Sequence, residues 1–152
     1  DLSFSGYQFE EKAEWVRQWG LTYHLGMDGI SLLMVLLTVL LLPLCVLCSW
    51  TYISKRVKEF HISLMLMTSA CVGVFVALDF VLFYIFWEAM LVPMFLLIAV
   101  WGGPERRYAS LKFFLYTLAG STLLLVAMVA FYIAGGTFSI PELSTKTYPF
   151  GF

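Results

Sequence analysis

Residues 80–101 read FVLFYIFWEAMLVPMFLLIAVW, an apolar run that contains one charged residue, Glu88. A transmembrane helix needs about 20 consecutive and predominantly apolar residues. The run is long enough to cross a membrane once, and it places Glu88 near the middle of the crossing. The stretch therefore predicts a membrane-spanning helix that carries a carboxyl group at depth.

The rest of the chain has the composition of a membrane protein. Of its 152 residues, 61% are hydrophobic and only 12% are charged, which is far from the balance of a soluble domain. Three further runs meet the length requirement for a transmembrane helix, at residues 30–50, 60–78 and 110–134. We predict an all-α fold, a polytopic bundle of four transmembrane helices embedded in the lipid bilayer.

Several function classes are disfavoured by what the sequence lacks. The formal net charge of −1 gives no reason to expect a nucleic acid partner. Cys45 and Cys48 have the spacing of some zinc and redox sites, but no His, Asp or second cysteine pair accompanies them. We therefore interpret these cysteines and Cys71 as small apolar side chains. Because a Gly-rich phosphate loop is also missing, we expect no cofactor and no metal in this chain.

The connections between the runs predict the arrangement of the helices. Asp79 alone separates the second run from the third, so these two helices should lie side by side and antiparallel, with Asp79 capping the third. Asp28 is placed to cap the first. Residues 1–29 form an arm and residues 135–152 a loop. The arm is either an ordinary loop or, over residues 9–19, an amphipathic piece on the membrane surface.

Basic residues indicate the orientation of the bundle. Lys55, Arg56 and Lys58 follow the first run, and Arg106 and Arg107 follow the third. Loops rich in Lys and Arg remain in the cytoplasm. We therefore predict that both termini and the Asp79 turn are extracytoplasmic.

Two residues that carry a full charge at neutral pH, Glu88 and Lys112, remain inside the predicted spans. A charge in mid-bilayer costs at least about 2.5 to 3.5 kcal/mol and is a functional hypothesis by default. Lys112 is near the start of its run, so it either extends its ammonium group to the interface or takes part in proton transfer. The helical rise separates the two groups by on the order of 14 Å in depth. Glu88 therefore needs a partner outside this chain or a water-filled cavity.

The neighbours of Glu88 suggest how a proton site could be built. Tyr84 lies one turn before it on the same face, and Trp87 beside it is either part of the site or packing. Pro93 cannot donate to the carbonyl of Ala89, so a kink should free a backbone acceptor one turn beyond Glu88. Such kinks are also common in membrane helices without a further role.

The last run offers polar side chains near Lys112. Tyr116 lies one turn after Lys112 on the same face, and Thr117 is close by. Hydroxyl and small side chains at this spacing indicate either close helix packing or a hydrated path that begins at Lys112. Together with Glu88, these residues predict a helix bundle that handles protons.

Four motifs resemble the antiporter-like M subunits of respiratory complex I, the NADH:quinone oxidoreductase, known as subunit 4 in mitochondria. They agree in order and spacing and are MDGISLL at 27–33, FWEAMLVPM at 86–94, WGGP at 101–104 and KFFLYT at 112–117. The resemblance extends from about residue 23 to residue 143. The string around Glu88 favours the M subunits over the related L and N subunits.

The resemblance implies a fold of about fourteen spans built from inverted repeats, of which this chain would be a piece. It implies that Glu88 is the membrane glutamate of the first half-channel, Lys112 a neighbouring lysine and Asp79 the turn acid. The partner of the glutamate would be a lysine on a later helix. It also implies L-, N- and K-type subunits as partners, in the bacterial plasma membrane or the mitochondrial inner membrane.

Two other functions remain open. The same glutamate could serve an Mrp-type cation/proton antiporter or a membrane-bound hydrogenase, without NADH:quinone coupling. A purely structural membrane piece is the third interpretation, and it predicts that Glu88→Gln leaves proton pumping intact.

Overall fold

The computed structural model describes residues 6–16 and 21–146. Its elements, in chain order, are β1 Gln8–Val16, β2 Leu21–Met27, α1 Gly29–Ser49, α2 Val57–Val76, α3 Phe80–Trp101, α4 Arg106–Gly135 and α5 Ile140–Ser144. Within the described residues, α1 to α4 are long and apolar enough to cross a membrane. The predicted helical bundle is confirmed, with a short hairpin added at one end.

The helix bounds differ from the predicted runs for identifiable reasons. The α2 helix ends at Val76 because Ala77 is extended and pairs with Leu25 of β2. The α4 helix begins at Arg106, before the apolar run, because a first turn that reaches the interface can be polar and still be helical. Hydropathy gives the length of the apolar run, whereas the helix itself ends where its backbone hydrogen bonds end.

The prediction that the arm is a loop or an amphipathic segment is wrong for the residues that the structure describes. β1 and β2 form an antiparallel hairpin in which Glu11 lies opposite Leu25 and Lys12 opposite His24. Residues 17–19 of the predicted piece lie outside the described residues. The missed signal in the sequence is the alternation of apolar with less apolar residues in LTYHLGM at 21–27, which is typical of a strand. The structure buries the other face of this strand, at His24 and Gly26.

Side-chain contacts hold the helices together in sequence order. α2 packs closely on α3, because Gly73 lies directly against the Phe86 ring. α3 meets α4 through the rings of Phe95 and Phe114, whose centroids are 5.6 Å apart. α1 contacts α2 but exposes most of its length. The close α2–α3 pair lies at the centre of the bundle, and its α3 helix carries Glu88.

A network of backbone hydrogen bonds closes the end of the bundle at the α2–α3 turn. The Leu78 amide donates to the His24 carbonyl over 2.9 Å, and the Phe80 amide donates to the Phe138 carbonyl over 2.9 Å. The Ile140 amide returns to the Leu78 carbonyl over 2.9 Å. The turn is therefore held between β2 on one side and the segment before α5 on the other.

Candidate functional site

Glu88 lies in the central part of α3. With a rise of about 1.5 Å per residue, it is roughly 12 Å from the Phe80 end of the helix and roughly 20 Å from the Trp101 end. The residue is half-buried. Its Oε1 atom is buried and has no hydrogen-bond partner among the described residues. A buried carboxyl oxygen without a partner is costly, which marks this position as unusual.

Tyr84 and Ser121 are the polar groups beside Glu88. The Tyr84 hydroxyl interacts electrostatically with both the Glu88 carboxyl group and the Ser121 hydroxyl. Ser121 is buried on α4 and donates to the Leu118 carbonyl over 3.1 Å. The structure therefore brings three polar side chains together across the α3–α4 contact.

The sequence indicates Ser121, with Thr117, as a hydroxyl side chain near Lys112, but it does not connect Ser121 to Glu88. Its only signal is its position one turn after Thr117, on the face of α4 that carries hydroxyl groups. Whether the hydroxyl of Thr117 or that of Ser121 lies near Tyr84 depends on the rotation of α4 about its axis relative to α3. The structure supplies that rotation and selects Ser121 as the neighbour of Tyr84.

A cavity of about 430 Å³ lies beside Trp87 and touches all four long helices. Thr117 lines it together with Thr68 and Thr38, but each of these hydroxyls donates to a carbonyl of its own helix. The remaining lining is apolar. Because waters need polar partners, the cavity favours apolar occupants. Glu88 does not line it, so it is a different feature from the predicted water-filled cavity.

Trp87 and Pro93 are part of the packing around this cavity and the α3 core. The Trp87 ring stacks on Phe83 with a centroid separation of 6.0 Å. Pro93 is buried inside α3, five residues after Glu88. These positions agree with a packing role for both side chains and add no polar group to the Glu88 neighbourhood.

Lys112 is on the other side of α4 from the Glu88 neighbourhood. It is exposed, and its Nζ lies 5.6 Å from the centroid of the Tyr108 ring and 5.9 Å from that of Tyr116. Lys112 and Ser121 are nine residues apart, which at 3.6 residues per turn places them on opposite faces of the helix. Within the part of the chain that the structure describes, no ion pair joins Lys112 to Glu88.

Asp79 has a structural environment at the start of α3. It is 1% exposed, and its Oδ1 accepts hydrogen bonds from the amides of Val81, over 2.9 Å, and Leu82, over 3.3 Å. The Thr22 hydroxyl donates to Oδ2 over 3.1 Å. The predicted cap is confirmed, and Thr22 of the hairpin is a partner that the sequence did not predict.

The structure does not bring all of the predicted site residues together. Tyr84 and Glu88 lie beside Ser121, whereas Trp87 and Thr117 line the cavity. The other residues lie apart from both places: Asp79 at one helix end, Pro93 in the packed core, and Lys112 with Tyr116 on the outer face of α4.

Two protein families match consecutive halves of the chain. Residues 4–76 match the family described as "NADH-ubiquinone oxidoreductase chain 4, amino terminus". Residues 77–151 match the family described as "NADH:quinone oxidoreductase/Mrp antiporter, TM". The two matches follow each other without a gap, so nearly every residue of the chain is covered.

Individual relatives agree with these families. NADH-quinone oxidoreductase subunit M of Rhodobacter capsulatus is 52% identical over 149 residues, which are 98% of this chain and 28% of that protein. NAD(P)H-quinone oxidoreductase chain 4 1 of Nostoc sp. is 45% identical over 98% of this chain and 28% of its own length. The chain thus spans less than a third of the curated relatives that it matches.

Solved structures give the same result for the fold. A chain of respiratory complex I from Thermus thermophilus with bound NADH has a TM-score of 0.78 and 29% identity, over 93% of this chain and 30% of that one. A chain of the membrane-bound sulfane sulfur reductase, an archaeal respiratory membrane complex, has a TM-score of 0.70 and 26% identity. That match covers 89% of this chain and 21% of the other.

Proposed function

Because the chain belongs to the family of antiporter-like M subunits of NADH:quinone oxidoreductases, we propose that it forms part of a proton-translocating membrane subunit. Glu88 binds and releases the proton in this part of the subunit. The observation that carries the proposal is the Oε1 atom of Glu88, buried in the central part of α3 with no hydrogen-bond partner among the described residues.

The chemistry of such a site follows from its low polarity. A carboxyl group in an apolar environment favours its neutral form, and a cation that approaches it favours the ionised form. Because charges interact strongly where water is scarce, a cation that moves towards Glu88 would release its proton, and one that moves away would draw a proton in. This coupling needs no redox group in the chain itself, and we propose that the chain binds no cofactor.

Tyr84 and Ser121 orient the carboxyl group in this mechanism. Their hydroxyls form a polar link from Glu88 across to α4. Each hydroxyl both donates and accepts, so the link can adjust to either protonation state of Glu88. Proton transfer requires such a group within hydrogen-bond reach, directly or through one water.

Lys112 has a separate role in the proposal. Its ammonium group lies between the Tyr108 and Tyr116 rings, on the outer face of α4. We assign it to the cytoplasmic entrance of the proton path, with Tyr116, and assign the cation that faces Glu88 to a lysine outside this chain. The antiporter-like relatives, which are more than three times as long, have room for such a residue.

The chain is an integral membrane protein, and the proposal extends to its orientation and partners. The basic loops after α1 and α3 lie in the cytoplasm, and the hairpin and the α2–α3 turn are extracytoplasmic. The membrane is the bacterial plasma membrane or the mitochondrial inner membrane. The partners are other membrane subunits of the complex, of the L, N and K types.

The proposal is tested with Glu88→Gln in the full-length subunit, assembled in its enzyme and reconstituted in proteoliposomes. Glutamine keeps the size and polarity of the side chain but cannot ionise. We expect assembly to be normal and the proton flux through this subunit to fall at least about tenfold, the lower end of what a positioned proton-transfer group contributes. Glu105→Gln, the same change in an exposed loop, is the matched control and should pump normally.

A fully active Glu88→Gln enzyme would reject the proton role and leave the purely structural interpretation. The measurement must follow electron transfer and proton movement in the same sample. A loss of pumping with intact assembly supports the proposal, whereas a loss of assembly in Glu88→Gln alone would show that the side chain serves packing.

The second candidate is ion exchange coupled to different chemistry. Its support is the likeness to the membrane-bound sulfane sulfur reductase and to a family whose description includes Mrp antiporters. Purification of the full-length subunit with its native partners distinguishes between the two candidate functions. Co-purification of a quinone-reducing NADH dehydrogenase activity favours the first, and its absence from an intact complex favours the second.

A further inference from the structure

We propose that His24 and Glu10 form a proton-exchange pair at the end of the bundle that carries the α2–α3 turn. Glu10 exchanges protons with bulk water, and His24 exchanges them with the protein interior. The inference deepens the proposed function and rests on it, because it assigns the extracytoplasmic port of the same proton path.

The geometry of the pair is that of a two-step relay. The Nε2 atom of His24 lies 2.6 Å from Oε1 of Glu10. The Glu10 side chain is 50% exposed, whereas the His24 side chain is 5% exposed. The other ring nitrogen, Nδ1, is buried and has no partner among the described residues. One nitrogen therefore meets a group in contact with water, and the other is free on the buried side.

An imidazole in this position has an unusual capacity for proton transfer. A neutral ring carries a proton on one nitrogen and accepts on the other, and a charged ring donates from both. A buried polar atom without a partner costs free energy, so a ring that serves packing alone would be expected to bond through both nitrogens. The empty Nδ1 is the observation that a purely structural ion pair does not explain.

The backbone holds His24 firmly at the helix pair that contains Glu88. Its carbonyl accepts the Leu78 amide over 2.9 Å. Two residues further, a Cβ on Gly26 would lie 2.7 Å from Cδ1 of Leu78, so the absence of a side chain lets the strand approach the turn. The backbone of β2 at His24 is therefore held against the α2–α3 turn, next to the start of α3.

Few other charged or titratable groups surround the pair. Lys12 of β1 lies directly opposite His24 in the hairpin register. The elements that pack on β2 contribute Asp79, held by Thr22 and its own helix, Asp28 at the start of α1 and Tyr7 beside Gly26. The charged residues of α2 are at its opposite end. The Glu10 carboxylate is thus the group that directly balances a charge on His24.

The transfer can be written with every proton accounted for. A hydronium ion protonates Glu10, and the O–H bond of its carboxyl group breaks as an N–H bond forms at Nε2 of His24. This step requires a neutral ring that begins with its proton on Nδ1. The imidazolium then loses its Nδ1 proton to a water on the buried side, which leaves a neutral ring protonated on Nε2 and the Glu10 carboxylate. Rotation of the ring, or exchange of its proton with water, restores the starting tautomer before the next transfer. The reverse sequence carries a proton outwards. No oxidant or reductant takes part.

The test uses His24→Gln and Glu10→Gln in the full-length subunit within the assembled enzyme. Either amide can hydrogen-bond across the pair, but neither can carry a proton. We expect normal assembly, a fall of about tenfold in the Glu88-dependent proton flux, and loss of the dependence of that flux on extracytoplasmic pH. Glu11→Gln, the adjacent exposed carboxylate of β1, is the matched control and should retain both flux and pH profile.

Normal flux in an assembled Glu10→Gln enzyme would overturn the proposal, and so would a lower flux whose pH profile is unchanged. Glu10 is half-exposed, so this variant keeps the test decisive if His24→Gln does not assemble. Glu88→Gln, measured in parallel, separates the two proposals. If it abolishes pumping and the hairpin variants do not, only the relay fails; if it has no effect, the proposed function itself fails.

Discussion

Asp79, at the start of α3, and Glu88, in its central part, are carboxyl groups in different environments. Asp79 is buried with three hydrogen-bond donors around it, so its carboxylate is fully used in holding the turn. Glu88 has a buried oxygen with no donor among the described residues. The two carboxyl groups therefore differ in the number of donors that reach them and not simply in burial.

We predict that Asp79→Ala lowers the free energy of unfolding by about 2 to 4 kcal/mol, since it removes a helix cap and leaves buried donors unpaired. Asp28→Ala is the matched control, because Asp28 caps α1 with one exposed bond from the Ser31 amide over 2.7 Å. Asp28→Ala should lower the free energy of unfolding by only about 1 kcal/mol. Thermal unfolding of the solubilised protein measures both, and equal losses would contradict the prediction.

Asp28 also has a defined response to pH. The amide and hydroxyl of Ser31 lower the pKa of Asp28 below its ordinary value. A carboxyl group whose pKa is lower in the folded state than in the unfolded state stabilises the fold at pH values above its unfolded-state pKa. This contribution is lost as the pH falls through the folded-state pKa. The cap of α1 therefore weakens only in strongly acidic solution.

At the scale of the elements, the contact between α2 and α3 depends on one missing side chain. A Cβ added at Gly73 would overlap the Phe86 ring, so the two helices approach closely only because this residue is glycine. Small residues at such crossings are typical of membrane helices, where close packing replaces the hydrophobic effect as the main attraction. The crossing lies close to Glu88 along α3 and sets the position of that helix.

We predict that Gly73→Ala lowers the free energy of unfolding by about 1 to 3 kcal/mol, because the Phe86 ring must leave its position. Gly120→Ala is the matched control, since it makes the same change inside α4 where the described residues leave open space around the new Cβ. It should be neutral or stabilise by up to about 1 kcal/mol. Denaturation of both variants in detergent gives the comparison, and an equal loss of stability would show that the close contact between Gly73 and Phe86 is not the cause.

At the scale of the whole molecule, the two ends of the bundle differ in chemistry. One end is closed by the hairpin, the α2–α3 turn and the segment before α5. At the other end, the indole of Trp101 donates to the Lys55 carbonyl over 2.8 Å, and the Arg106 side chain donates to the Val100 carbonyl over 2.8 Å. This second end holds most of the basic residues, which supports its proposed location in the cytoplasm.

The orientation is tested by cysteine labelling of the full-length subunit after replacement of Cys45, Cys48 and Cys71. We predict that Glu11→Cys in the hairpin reacts with a membrane-impermeant maleimide in intact cells, as the proposed extracytoplasmic location of the hairpin requires. Glu105→Cys, in the loop after α3, should react only in inverted vesicles. The opposite pattern would reverse the orientation and move the His24 and Glu10 pair to the cytoplasmic side.

The number of spans and the depth of Glu88 follow from the order of the residues. A bilayer has a fixed apolar thickness, so the length of each apolar run determines whether it crosses, and the position of Glu88 within its run determines its depth. The caps at Asp28 and Asp79 are local in the same sense, since their hydrogen bonds reach only two or three residues along the chain.

The rotation of each helix and the hairpin depend on contacts between distant residues. The long helices are apolar on nearly every side, so hydropathy does not indicate that Ser121 turns towards Tyr84 while Lys112 lies on the opposite face of α4. The hairpin likewise depends on the pairing of β2 with the turn at Leu78. These choices belong to the tertiary structure, because packing and hydrogen bonds between elements select one rotation among several that a membrane would accept equally well.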